Sequence, residues 1–121
     1  MTPELMRQRT TAFAVAVAAL VEPLLSNMSV REAVMQLKDA ADSTAANYRA
    51  TGRAKSHRDF TAKLGTALEE ADEAHHWLDY LQRRGALASD AAAPVFQEAG
   101  EIVAMLAKAV STARRRDSSD R

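Results

Sequence analysis

Apolar residues recur along this chain at intervals of three and four, the spacing of one face of an α-helix. Leu5, Phe13, Val17, Leu20, Val21 and Leu24 form a first stripe. Val30, Val34, Leu37, Ala41, Thr44 and Tyr48 form a second. Phe60, Leu64, Ala67, Ala71, Leu78 and Leu81 form a third, and Val95, Ala99, Ile102, Val103, Leu106 and Val110 a fourth. Polar and charged residues fill the intervening positions, so each stripe predicts a helix with one face turned to a core.

End signals bound the four segments. Thr2 can cap the first, with Pro3 at its first helical position and Glu4 in the first turn. Pro23 should bend or end it by removing a backbone donor, and Asn27 is a plausible stop. Ser29 and Glu32 read as a capping box for the second helix, and Gly52 as its left-handed stop. Ser56 and Asp59 form a weaker capping box for the third, with Gly85 just past its end. Ser89 or Asp90 starts the fourth, with Pro94 in or near the first turn. Helices of about 20 to 28 residues with short loops predict an all-α, antiparallel, up-down-up-down four-helix bundle. The bundle is expected over residues 1–113, with a polar C-terminal tail at 114–121.

Composition agrees and excludes several function classes. At 121 residues the chain is one domain by size, 47% hydrophobic and poor in glycine and proline. It has no cysteine, which removes disulfides, thiolate metal sites and thiol nucleophiles. The run AFAVAVAALVEPLL is too short and too alanine-rich to cross a membrane, and Glu22 and Pro23 interrupt it. Glu4 precedes Arg7 and Arg9 where a secretory signal would be basic. A soluble, unprocessed, cytoplasmic protein is expected, with no membrane partner.

The second helix is unusual. Ala40, Ala41, Ser43, Thr44, Ala45, Ala46 and Ala50 surround it with small side chains. Such a helix can approach a neighbour to about 8 Å rather than about 10 Å. Two uses stay open: a tight crossing inside the bundle, or a subunit interface outside it. Asn47 and Ser43 sit one turn apart among these alanines, and a structural hydrogen bond between helices is the expected use of Asn47.

The run ADSTAANYRATGRAKS, followed by HRDF, carries a family resemblance. The chain resembles the bacterial four-helix-bundle proteins named after 23S rRNA intervening sequences. Members carry D-S-x-x-x-N in helix two, a turn rich in Gly, Arg and Ser, an S-x-x-D-F start to helix three, and a glutamate further on. Here these are Asp42, Ser43 and Asn47, then Gly52, Arg53 and Ser56, then Asp59 and Phe60, then Glu73. The match is specific over residues 40–80. It departs at Ala50 and Thr51, where many members have an acidic–glycine pair. The resemblance implies a ring-like homopentamer with no established enzymatic activity. Some relatives lie within ribosomal RNA insertions, and others look similar to retroelement accessory proteins that bind nucleic acid and a reverse transcriptase.

Candidate chemistry centres on charge. The formal net charge is zero, yet Arg49, Arg53, Lys55, Arg58 and Lys63 against Asp59 leave about +4 at the junction of helices two and three. Arg114, Arg115 and Arg116 form another basic block. An up-down bundle puts both blocks at one end, where they could attract phosphates of RNA or DNA. Against this, the charges could serve as a solvated loop, and stacking aromatics are scarce there. Glu69, Glu70, Asp72, Glu73 and Asp79 place about −5 on the third helix.

Glu73 and His76 match one Glu-x-x-His unit of di-iron bundles, but the second unit is missing, so no metal or cofactor is expected. Trp77 is either a boundary core residue or an interface anchor. No nucleophile elbow or phosphate loop is present, and no catalytic residue is assigned. The expected function is a non-enzymatic oligomer that binds RNA or a ribonucleoprotein partner through the basic end. The alternative is a structural or protein-binding scaffold with no nucleic-acid role.

Overall fold

A computed structural model describes residues 1–119; residues 120 and 121, the end of the expected polar tail, lie outside the described residues. The helices are α1 (Pro3–Val21), α2 (Arg31–Ala50), α3 (His57–Arg83) and α4 (Ser89–Ser119). Short 3-10 turns at Glu22–Leu24 and Thr51–Arg53 follow α1 and α2. There is no strand among the described residues, and none of their helices is long and apolar enough to cross a membrane.

Each helix packs against its sequence neighbours, and α4 closes back on α1. Paired contacts set the directions. Arg53 faces the Glu4–Gln8 turn while Asp42 lies near Ala18, so α1 and α2 are antiparallel. His57 meets Ala113 whereas His75 stacks on Phe96, so α3 and α4 are antiparallel too.

The core follows the stripes. Phe13, Val17 and Val21 of α1, Val34 and Leu37 of α2, Leu64, Leu78 and Leu81 of α3, and Ile102, Leu106 and Val110 of α4 are buried. α2 and α3 share the broadest contact, and both bury small residues: Ala40, Ala41 and Thr44 from α2, Ala67, Ala71 and Ala74 from α3. Buried hydroxyls are satisfied locally; Thr10 and Thr44 donate to the carbonyls of Met6 and Ala40 at 3.0 and 2.8 Å. No buried side-chain nitrogen or oxygen lacks a partner among the described residues.

The structure differs from expectation in several places. Leu5 is 51% exposed, and Met6, at 4%, takes its core position because the α1 stripe runs 6, 10, 13, 17, 21. Ser29 does not cap α2: its hydroxyl and N–H both donate to Asn27 Oδ1, and Val30 takes the cap position with no side-chain bond. Gly52 is not left-handed; Thr51 Oγ1 donates to the Tyr48 carbonyl at 2.6 Å and the chain leaves α2 through a 3-10 turn. Asn47 donates its side-chain amide to the Ser43 carbonyl of its own helix at 2.8 Å rather than across helices.

Other signals hold. Thr2 accepts from the Leu5 N–H and Ser56 from the Asp59 N–H. Gly85 has φ 74° and ends α3 in a Schellman turn, with the Ala86 N–H donating to the Leu81 carbonyl. At the other terminus α4 does not stop at 113 but continues through Arg114–Arg116 to Ser119.

Candidate nucleic-acid interface

The 2–3 junction is held rigidly by its own side chains. The Ser56 cap fixes the start of α3. Asp59 then reaches back to accept from the Lys55 N–H at 3.0 Å, and the Lys63 ammonium donates to both its oxygens at 2.7 and 2.6 Å. That Lys63 contact first, then the Lys55 N–H, holds the Asp59 carboxyl below its ordinary range. Asp59 and Lys63 thereby neutralise each other. Arg53, Lys55 and Arg58 stay exposed, and no ion pair engages them among the described residues.

α4 docks on this junction. His57 Nε2 lies 3.1 Å from the Ala113 carbonyl and 3.2 Å from an Asp117 oxygen, and its ring stacks on Phe60 at 5.9 Å. The contact brings Arg114, Arg115 and Arg116 to the same end of the bundle as Arg49, Arg53, Lys55 and Arg58. Arg115 donates to the hydroxyls of Ser111 and Thr112 at 3.3 Å, while Arg114 and Arg116 are exposed.

The first turn of α1 completes the end. A surface groove of about 670 Å³ runs between α1 and the 2–3 junction, lined by Arg7, Gln8, Arg49, Gly52 and Arg53. Glu4 also lines it and accepts from Arg7 at 2.6 Å. Arg7 first, then Gln8 and more weakly Arg49, hold the Glu4 carboxyl below its usual range. A Cβ at position 52 would lie 3.9 Å from Arg7 Nη1, an ordinary contact, so Gly52 borders the groove beside Arg7. Arg7 and Gln8 were not legible as site residues. In the sequence Arg7 is cancelled by Glu4, and only the fold carries it to Arg49 and Arg53.

The residues of the family motif do not form one site. Asp42 is exposed and accepts from Lys38 at 3.3 Å; Ser43 and Asn47 bond to each other within α2; Ser56, Asp59 and Phe60 build the junction. Glu73 stands roughly 25 Å further along α3, at 1.5 Å per residue, and accepts from Trp77 Nε1 at 3.4 Å. His76 packs edge-on against the same Trp77, while His75 turns away to stack on Phe96. No group of three or more His, Asp or Glu placed to hold a metal ion occurs among the described residues. Trp77 is half-buried, edge-to-face with Tyr80 at 5.3 Å, and packs at the core boundary.

The fold defines an all-helical, four-helix protein with a concentrated basic end. Over residues 5–108 the chain matches the family described as 23S rRNA-intervening sequence protein, and it belongs to that family. It is similar to a crystal structure of a protein with unknown function from the S23 ribosomal protein family of Bacteroides thetaiotaomicron VPI-5482. The two share 26% identity with a TM-score of 0.83, over 92% of this chain and 99% of that one. No curated protein matches the chain.

Proposed function

We propose that this protein is a non-enzymatic, oligomeric bundle that binds RNA through its basic end in the cytoplasm. The observation that carries the reading is the gathering of Arg7, Arg49, Arg53, Lys55, Arg58 and the Arg114–Arg116 run at one end. At this end only Glu4, Asp59 and Asp117 oppose them among the described residues. Exposed arginines on a rigid frame suit phosphate contacts, because the guanidinium fork pairs with two oxygens at once. A homopentamer, implied by the family resemblance, would multiply the patch and its field.

The test is anisotropy of a labelled single-stranded RNA across a salt series. Binding should weaken steeply with salt, the logarithmic slope falling by roughly 0.7 for each phosphate contact removed. Arg53→Glu with Arg58→Glu should abolish binding while leaving the helical content intact. Binding that ignores both salt and these substitutions would sink the proposal.

A second reading, a protein-binding scaffold, is favoured by a different surface. Val15 is 64% exposed beside a groove of about 390 Å³ walled by Ala14, Ala18, Ala45 and Ala46. Small walls and an exposed valine suit a helix from another chain. Size-exclusion chromatography with light scattering and absorbance at two wavelengths separates the readings. An oligomer carrying nucleic acid supports the first; an oligomer with a clean protein spectrum supports the second.

A further inference from the structure

The bundle is incompletely filled at its basic end. The α1–α4 contact is the thinnest of the four seams. Where α1 begins, a cavity of about 580 Å³ opens between α1, the start of α3 and the last turns of α4. Its depth is apolar: Leu64 and Leu106 are 2% and 1% exposed, and Met6, Phe60 and Met105 complete the walls. Its exposed rim carries Lys108, Thr112 and Arg116 beside Met1.

We propose that this cavity binds a medium-chain carboxylate, its alkyl chain against Met6, Phe60, Leu64, Met105 and Leu106 and its carboxylate at Lys108 and Thr112. The volume falls within the range of small-ligand pockets, which are mostly apolar with a few convergent polar groups. Met6 and Met105 are unbranched and polarizable, so they adapt to a flexible chain. The rim selects for a negative head. The Lys108 ammonium has no ion pair among the described residues. Thr112 Oγ1 accepts from Arg115 at 3.3 Å, which leaves its proton to donate. The acid near the rim, Asp117, is 3.2 Å from His57 Nε2. The surrounding basic end adds a field that favours anions and repels cations.

A polyanion gains nothing from apolar walls, and an alkyl chain gains little from the open Arg7–Arg49–Arg53 groove. Arg116 borders both surfaces, but the apolar depth serves only an alkyl chain, so the inference does not depend on the RNA reading.

The test is calorimetric titration of the full chain with decanoate below its micelle concentration, beside decanol and decylammonium. Decanoate should saturate one site per chain and raise the melting temperature. Decanol and decylammonium should bind about tenfold more weakly, since each lacks the charge-assisted bond. Lys108→Glu, on the exposed rim, should weaken decanoate roughly fivefold. Ala109→Trp puts an indole into the cavity and should abolish binding; Ala109→Leu is the milder variant if the first does not fold. No saturable decanoate binding overturns the proposal. Equal binding of the three amphiphiles overturns the carboxylate, and undiminished binding in the folded Ala109 variant overturns the cavity.

Discussion

Ala41 and Ala46 lie on the same helix five positions apart, and the structure assigns them opposite tasks. Ala41 is 0% exposed and faces the core; Ala46 is exposed on the α1–α2 side. Replacing Ala41 with leucine puts an isobutyl group where the α2–α3 seam holds a methyl. Burying that group in water-free space would return up to about 2 kcal/mol if room existed. α3, the helix that α2 contacts most broadly, also buries alanines at Ala67, Ala71 and Ala74, so the packed core offers little room. Overpacking of this kind costs about 1–3 kcal/mol net. For a chain of this length that lowers the melting temperature by roughly 3 to 12 °C. Ala46→Leu should stay within about 0.5 kcal/mol of the parent. The assay is guanidinium unfolding followed by far-UV circular dichroism at several protein concentrations, because self-association would add a mass-action term. The slope with denaturant should be unchanged in both variants. An Ala41→Leu protein as stable as the parent would refute the claim that small residues on α2 exist to hold α3 close.

Gly85→Ala should cost about 1 kcal/mol in urea unfolding. Its φ is 74° and a Cβ there meets no atom within 4 Å, so the loss is conformational and not steric. Arg9 donates to both oxygens of Glu98 at 2.7 and 2.6 Å, pinning α1 to α4. A double-mutant cycle of Arg9→Met and Glu98→Gln should give a coupling near 1 kcal/mol, and a value near zero removes the pair as a clamp. Burial first, then repulsion from Glu73 and Glu69, raises the Glu70 carboxyl above its ordinary range. Its ionised form is thus less favourable folded than unfolded, and this costs stability as pH rises through that range. Glu70→Gln should therefore stabilise the protein near neutral pH, with the gain vanishing below about pH 4. A pH-independent gain would point to some other cause.

The helix count, the core faces and the seam of small residues were legible because each rests on periodicity, which a burial pattern enforces over many residues. The ends were less legible because several residues there compete for the same partner. Ser29 has the spacing of a cap, yet Asn27 lies closer and takes its hydroxyl. Gly52 has the position of a left-handed stop, yet the Thr51 hydroxyl closes the turn first. The apolar stripe of α4 does not end at Val110, although the sequence beyond it reads as polar. Ala113, 5% exposed, carries it one turn further, and Asp117 then meets His57.

Charge is where a count along the sequence misleads most. The zero total suggests that the acids of α3 neutralise the basic junction. Distance decides otherwise. Arg58 and Glu69 are separated by eleven residues of one helix, roughly 16 Å of rise. The Debye length at physiological salt is about 8 Å, so an exposed acid that far away does little for an exposed arginine. Nearby acids are already engaged: Glu4 by Arg7, Asp59 by Lys63, and Asp117 lies against His57. Lys55 feels part of the Asp59 charge, but Arg53 and Arg58 have no acid paired with them among the described residues, which leaves salt ions, the acidic α3 of another subunit, or phosphates as counter-charge. Salt ions bind loosely and are displaced by either of the others. Release of those ions gives a phosphate polymer its advantage over an isolated acid, and makes its binding the more salt-dependent of the two.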